Sequence, residues 1–148
     1  MAANDLEHEI SDRVASIAPT LLTMPGLGPL TAAKIVAETA DIRRFKSKDA
    51  FARHNGTAPL PVWSGNRERH RLARTGNRQL NCAIHRIAIT QMRCHDDAKA
   101  YLKRRREIGN TNTEALRTLK RRLSDIVYRT LLTDATTTTT PACLDKAA

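Results

Sequence analysis

A chain of 148 residues has room for one domain, or a small domain with an added helical arm, and not for two domains with large cores. Hydrophobic residues make up 41% and aromatic ones only 3%, so the core has to be built from Ile, Leu, Val and Ala, as helix packing readily does. A formal net charge of +10 calls for a polyanionic partner, nucleic acid first and an anionic membrane surface second. No apolar run approaches the roughly 18 residues of a membrane span and no signal-peptide pattern opens the chain, so the expectation is a soluble protein of the cytoplasm and nucleoid.

Between Leu6 and Leu22, the residues Ile10, Val14, Ile17 and Leu21 recur at helical spacing, which predicts an amphipathic helix that Pro19 ends or kinks. Residues 1–17 read as a helical arm on a domain spanning 18–132. Next comes a Pro-Gly-apolar-Gly turn, Pro25 to Gly28, opening an Ala-rich segment with Lys34, Ile35 and Val36. This resembles the helix-hairpin-helix element of DNA-repair and recombination proteins, placed at about 21–38. Gly26 and Gly28 let a backbone approach a phosphate closely, the free N–H groups at the following helix start favour the anion, and Leu27 is expected as the buried plug. Such contacts position a protein on a duplex without reading bases. The competing reading is a tight helix-helix turn with no ligand.

Asp41 to Phe51 reads as a connector and a short helix, anchored by Phe45 and Phe51, with Arg43, Arg44, Lys46, Lys48 and Arg53 projecting outward. From Gly56 to Leu80 the sequence GTAPLPVWSGNRERHRLARTGNRQL places one serine, Ser64, between a Pro-rich connector and a run of arginines. Pro59 and Pro61 forbid a helix, and Gly65 and Asn66 tolerate positive φ, so Ser64 is expected on an irregular loop. Arg67, Arg69, Arg71, Arg74 and Arg78 face a single acid, Glu68, and such a patch suits phosphates. One reading is a turn serine beside a solvated basic stretch. The other is a nucleophile that attacks a phosphodiester while guanidinium groups neutralise the charge that develops. His70 is near in sequence, but no residue is marked as the base.

After Gly76-Asn77, the stripe Leu80, Ala83, Ile84, Ile87 and Ala88 predicts a core helix. Asp96 to Ile108 predicts another, with Ala98, Tyr101, Leu102 and Ile108 on one side and Lys99, Lys103, Arg104 and Arg106 on the other. Gly109-Asn110 ends it, and Thr111 to Thr113 caps a last helix carrying Leu116, Leu119, Leu123, Ile126, Val127 and Leu131. The basic pair thus spans about 96–132, and 133–148 reads as a disordered low-complexity tail. The only strand-like run, Pro61 to Trp63, lacks a visible partner. Cys82, Cys94 and Cys143 are an odd number without CxxC spacing, and Cys82, His85, Cys94 and His95 lack zinc spacing, so neither a disulfide framework nor a metal site is expected. The fold class that results is all-α.

The succession LLTMPGLGPLTAAKIVAE, then RRFKSKDAFARHNGTAPLPVWSGNRERHRLARTGNRQLNCAIHRIA, then YLKRRREIGN and EALRTLKRRLSDIVYRTL resembles the C-terminal domain of insertion-sequence transposases of the one-ten family, the bridge-RNA-guided recombinases. The resemblance covers about Ala18 to Leu132. Members join an N-terminal RuvC-like nuclease fold, with an Asp-Glu-Asp-Asp metal site, to a helical domain with a nucleophilic serine. The resemblance maps that serine onto Ser64. It implies attack on DNA, a covalent phosphoserine, strand exchange, and homo-oligomers assembled around a guide RNA. Arg67, Arg69, Arg71, Arg74, Arg78, Lys103 and Arg104 become phosphate-holding candidates, beside Gly26, Gly28 and Lys34. Because Met1 stands only a short helix before the hairpin element, the metal-binding half, and its Mg2+, is expected in trans from another polypeptide, so this chain should bind nucleic acid without recombining it alone. Asn110 stands where members often carry Lys, which puts one phosphate contact in doubt. Two alternatives remain open: a non-catalytic DNA-binding module, in which Ser64 is only a loop residue, and a basic structural protein of an RNA particle.

Overall fold

The computed structural model describes residues 2–71 and 75–138, with the backbone alone at 62–64 and 67–71. Its α-helices are α1 Ala3–Ile17, α2 Pro29–Thr39, α3 Lys48–Asn55, α4 Arg78–Cys94, α5 Asp96–Glu107 and α6 Asn112–Thr138. Single 3₁₀ turns at Leu21–Thr23 and Ile42–Arg44 precede α2 and α3. The fold is all-α, as the patterning predicts, with one small ribbon, β1 Leu60–Ser64 and β2 Arg67–Arg71, inserted between α3 and α4.

Local chemistry sets most of the helix ends. α1 stops at Ile17, two residues before Pro19, and Leu21 belongs to the 3₁₀ turn that follows. Pro29 occupies the first helical position of α2, where its missing N–H costs nothing. Ser47 Oγ accepts from Ala50 N at the start of α3, and Gly56, at φ 75°, closes that helix in the left-handed region. Asn77 Oδ1 accepts from Leu80 N to start α4. At α6, Thr111 Oγ1 accepts from Glu114 N while the Glu114 carboxylate accepts from Thr111 N, a reciprocal cap.

α4 is the axis of the core. Leu80, Ala83, Ile84, Ile87 and Ala88 are fully buried, and the helix packs against α2, α3, α5 and α6. Phe51 is buried too and meets Phe45 edge-on at 5.2 Å between ring centroids. Leu27 is buried as expected of a plug between helices. With so few aromatics, the core is closed by Ile, Leu, Val and Ala from five helices.

Several expectations are corrected. The stretch taken for an irregular loop around Ser64 is an antiparallel hairpin, in which Leu60 pairs with Arg71, Val62 with Arg69 and Ser64 with Arg67. The partner strand, RERHR, contains no apolar residue, so hydrophobic alternation gives it no signature; backbone hydrogen bonding makes it a strand. The helical pattern does not stop at Leu132, because α6 continues to Thr138 and buries Asp134. Ile17 and Ile108, both read as core-facing, are 54% and 74% exposed, since each sits at or just past a helix end and turns away from the packed face.

Candidate nucleic-acid interface

The hairpin that carries Ser64 leaves the core and returns to it at one spot. On the way out, Thr57 N and Ala58 N both donate to Ala52 O at the end of α3. On the way back, Asn77 N donates to His54 O at 2.7 Å. Gly76 makes this return possible: its φ is 153°, and a Cβ there would stand 2.9 Å from His54 O. Beneath lies a buried polar network. Asn55 Nδ2 donates to Ser124 Oγ at 2.7 Å, while Asn55 Oδ1 accepts from Thr57 N and Thr57 Oγ1. Asn81 Nδ2 donates to Asn55 O, and Asn81 Oδ1 accepts from Lys120 Nζ at 2.7 Å. α3, α4 and α6 therefore hold the hairpin root jointly, through side-chain amides that each bond to two elements.

Along the ribbon, paired residues of an antiparallel ladder belong to the same face. The register thus assigns positions 60, 62 and 64 of β1 and positions 67, 69 and 71 of β2 to one face. That face includes the positions of Ser64, Arg67, Arg69 and Arg71. Gly65, at φ 61°, supplies the backbone that the first central residue of a two-residue hairpin turn needs. Arg74 lies outside the described residues. Arg78 is exposed in the first turn of α4, just beyond the return.

The glycine turn stands at the other end of α4. Gly26, at φ 78°, packs so closely on Thr90 and Gln91 that a Cβ would meet their side chains at 3.2–3.3 Å. Gln91 Nε2 donates to Pro25 O at 2.7 Å and clamps the turn there. Gly28, by contrast, faces open space, with nothing within 4 Å of a Cβ placed on it. At the far end of α2, Glu38 accepts from Asn77 Nδ2 at 2.6 Å, so α2 and α4 run antiparallel. The rise of a helix then separates the hairpin root from the glycine turn by about 20 Å along α4, on the order of six base pairs of duplex.

Beside the turn is an open concavity of about 780 Å³ lined by Gly26, Leu27, Gly28, Thr31, His85, Arg86, Ile89 and Thr90. Arg86 was not singled out from sequence and His85 was weighed there only as a zinc ligand, because residues scattered through a core helix carry no phosphate-binding motif. Their signal is positional: Arg78, Arg86 and Arg93 fall within roughly an 80° arc of α4, on a side away from Ile84 and Ile87. Lys34 is half-buried midway along α2, while Lys103 and Arg104 are exposed in the last turns of α5. The structure gathers the glycine turn with α4, and the hairpin root with Arg78; Lys103 and Arg104 are on α5, which packs on α4 and α6.

Burial pushes His54 below the ordinary histidine pKa, helped by the Arg44 guanidinium, whose NH2 lies 3.3 Å from His54 Nε2. His85 is lowered as well, first by partial loss of water around a ring on a residue that is exposed as a whole and second by Lys120. Lys120 itself is held below the usual lysine value, first by burial. No group of three or more His, Cys, Asp and Glu among the described residues is arranged to hold a metal ion. Among the same residues, no helix is long and apolar enough to cross a membrane.

Residues 18–103 match the family described as Transposase IS116/IS110/IS902, a span that includes the glycine turn, the hairpin and α4. The chain belongs to that family. It is 34% identical over 130 residues to an uncharacterized 44.8 kDa protein of insertion element IS116 from Streptomyces clavuligerus, covering 86% of this chain and 32% of that protein. A protein proposed as the mini-circle transposase for IS117 in Streptomyces coelicolor is 33% identical over 90% of this chain and 33% of its own length. An uncharacterized 42 kDa protein of insertion element IS900 from Mycobacterium paratuberculosis is 31% identical, with 85% and 34% covered. The chain therefore spans about a third of the length of these transposase-family relatives.

Proposed function

We propose that this chain is the DNA-binding part of an insertion-sequence transposase and supplies a serine nucleophile, Ser64, for strand cleavage and exchange. The observation that supports the reading best is the hairpin register, which pairs Ser64 with Arg67 across a two-residue turn, in a chain of a transposase family. In the proposed step Ser64 Oγ attacks the phosphorus of a phosphodiester, loses its proton to solvent or to a base outside these residues, and expels a sugar hydroxyl. A phosphoserine ester results, which a hydroxyl end of another strand attacks in turn, restoring the serine and the phosphodiester count. Arg67, Arg69, Arg71, Arg74 and Arg78 neutralise charge on the phosphoryl oxygens. Gly26 and Gly28, acting as a helix-hairpin-helix turn with Lys34, hold the backbone of the duplex, and Lys103 and Arg104 extend the contact.

The partners proposed with this reading are DNA, a guide RNA, further copies of the chain, and a RuvC-like part carrying the Mg2+ site, which would lie outside these 148 residues. The test combines the chain with such a part from a one-ten-family transposase, DNA, guide RNA and Mg2+, and scores covalent protein-DNA adduct. Ser64→Ala is expected to abolish the adduct and retain DNA binding. Equal adduct from both proteins sinks the nucleophile and leaves a binding module. Metal-dependent recombination by the 148-residue chain alone removes the need for a metal-binding half.

A further inference from the structure

Lys120 is only 8% exposed, at the junction of α6 and α4. Its ammonium donates to Asn81 Oδ1 at 2.7 Å, and among the described residues no carboxylate lies within ion-pairing distance of it. Its neighbours act on it in both directions, Cys82 favouring the charged form and Arg117 opposing it. Arg117, exposed and one turn earlier on α6, and His85, exposed and one turn past Asn81 on α4, both act electrostatically on Lys120 or feel its charge. Cys82, also exposed, lies between Asn81 and His85 in the sequence of α4. The nearest acid in sequence, Glu114, is turned to its own helix cap and bonds Thr111 N. A nearly buried cation with one neutral partner and the Arg117 guanidinium one turn away is costly, and an anion seated there would offset that cost.

We propose that Arg117 and His85, with Lys120 as the charge beneath them, form a phosphate-binding site for the sugar-phosphate backbone of nucleic acid, adjoining the glycine-turn concavity that His85 also lines and distinct from the hairpin arginines. This rests on the DNA-binding reading and deepens it, since it names a contact on the α4 and α6 junction that fixes the strand relative to Ser64. Arg117 and His85 reach the phosphate; Lys120 acts from below through a low-dielectric path, where charge carries further than in water. Asn81 ties the site to the hairpin root, because its amide spans Lys120 and Asn55 O. A phosphate seated here is thus mechanically linked to the base of the ribbon.

The experiment measures duplex affinity across a salt series for the parent, Arg117→Gln and Lys120→Met, with thermal midpoints alongside. Arg117→Gln is expected to flatten the slope of log K against log salt by about 0.9 and to weaken binding about 5- to 20-fold, with its midpoint unchanged. Lys120→Met is expected to weaken binding comparably while keeping or raising the midpoint, because an unpaired buried charge is removed. Parent-like slopes and affinities in both variants overturn the proposal, as does Lys120→Met with lowered midpoint and parent-like binding, the mark of a purely structural lysine. If the parent fails to bind DNA at all, the functional reading falls, and the cluster is judged on inorganic pyrophosphate alone. There, saturable shifts of the His85 ring signals, lost in Arg117→Gln, uphold an anion site, and their absence in the parent overturns it.

Discussion

Asn55 Nδ2 donates to Ser124 Oγ at 2.7 Å across 69 residues of sequence, and the other face of the same amide accepts from Thr57 N and Thr57 Oγ1. All three residues are buried, so the bond joins α6 to the point where the Ser64 hairpin departs. Ser124→Ala strands the Asn55 amide donor and is expected to cost about 1–3 kcal/mol of stability. Asn55→Ala removes the Thr57 acceptor as well and is expected to cost more. Denaturant unfolding of the two variants and their double mutant checks the ranking; a parent-like Ser124→Ala curve would show that the network carries no stability.

Asp134 is the second long-range tie. Its carboxylate accepts from Thr20 N at 3.1 Å and Leu21 N at 3.2 Å, so the end of α6 caps the turn that leads into the glycine segment. Asp134→Ala is expected to destabilise by about 1–2 kcal/mol. A chain ending at Thr133 should lose at least as much relative to one ending at Thr138, because only the longer retains the cap. Thermal midpoints of the two truncations decide this, and equal values would contradict it.

The two glycines that frame the candidate interface should separate in a binding assay. Gly28→Ala adds a methyl group into open space at φ −87°, so its unfolding midpoint is expected to match the parent within about 0.5 kcal/mol. Its duplex affinity is expected to fall several-fold, because the added Cβ keeps a phosphate from the backbone N–H groups. Gly76→Ala meets His54 O at 2.9 Å in a backbone conformation with φ 153°, and about 1–3 kcal/mol of stability is expected to go. Parent-like DNA binding by Gly28→Ala would argue against phosphate contact at that turn.

The histidines predict a pH dependence with a definite sign. His54 and His85 both titrate below 6.5 in the fold, chiefly because partial loss of water disfavours their charged forms. The unfolded chain therefore takes up these protons more readily than the native one, and stability falls as pH drops from 6.5 through the depressed folded values. Above 6.5 this penalty is absent. Replacing both residues with Gln is expected to flatten the unfolding midpoint between pH 7 and 5, in roughly the range where free histidine titrates. Asp41 and Glu114, lowered by their hydrogen bonds to Arg43 and Thr111, lose their contributions only below the carboxylate values of 3.8 and 4.5. An unchanged slope in the double variant would show that other groups carry the acid response.

Much of this protein is local in origin and was open to reading from residue order. Ser47, Asn77 and the Thr111/Glu114 pair cap helices within three or four residues of themselves, and Leu80 to Ala88 repeats at the spacing of a buried helix face. The family is carried by the succession of glycine turn, serine, arginines and basic helices, which is likewise a property of order. The chain fold decided the rest, because it depends on partners far apart in sequence. RERHR becomes a strand only when Leu60 to Ser64 lies beside it, and Asp134 becomes a cap only when α6 reaches Thr20. Lys120, one of many cations in the sequence, is distinguished only by burial against Asn81. Hydrophobic periodicity records which side of an element faces the core; it holds no information about which polar atoms meet there.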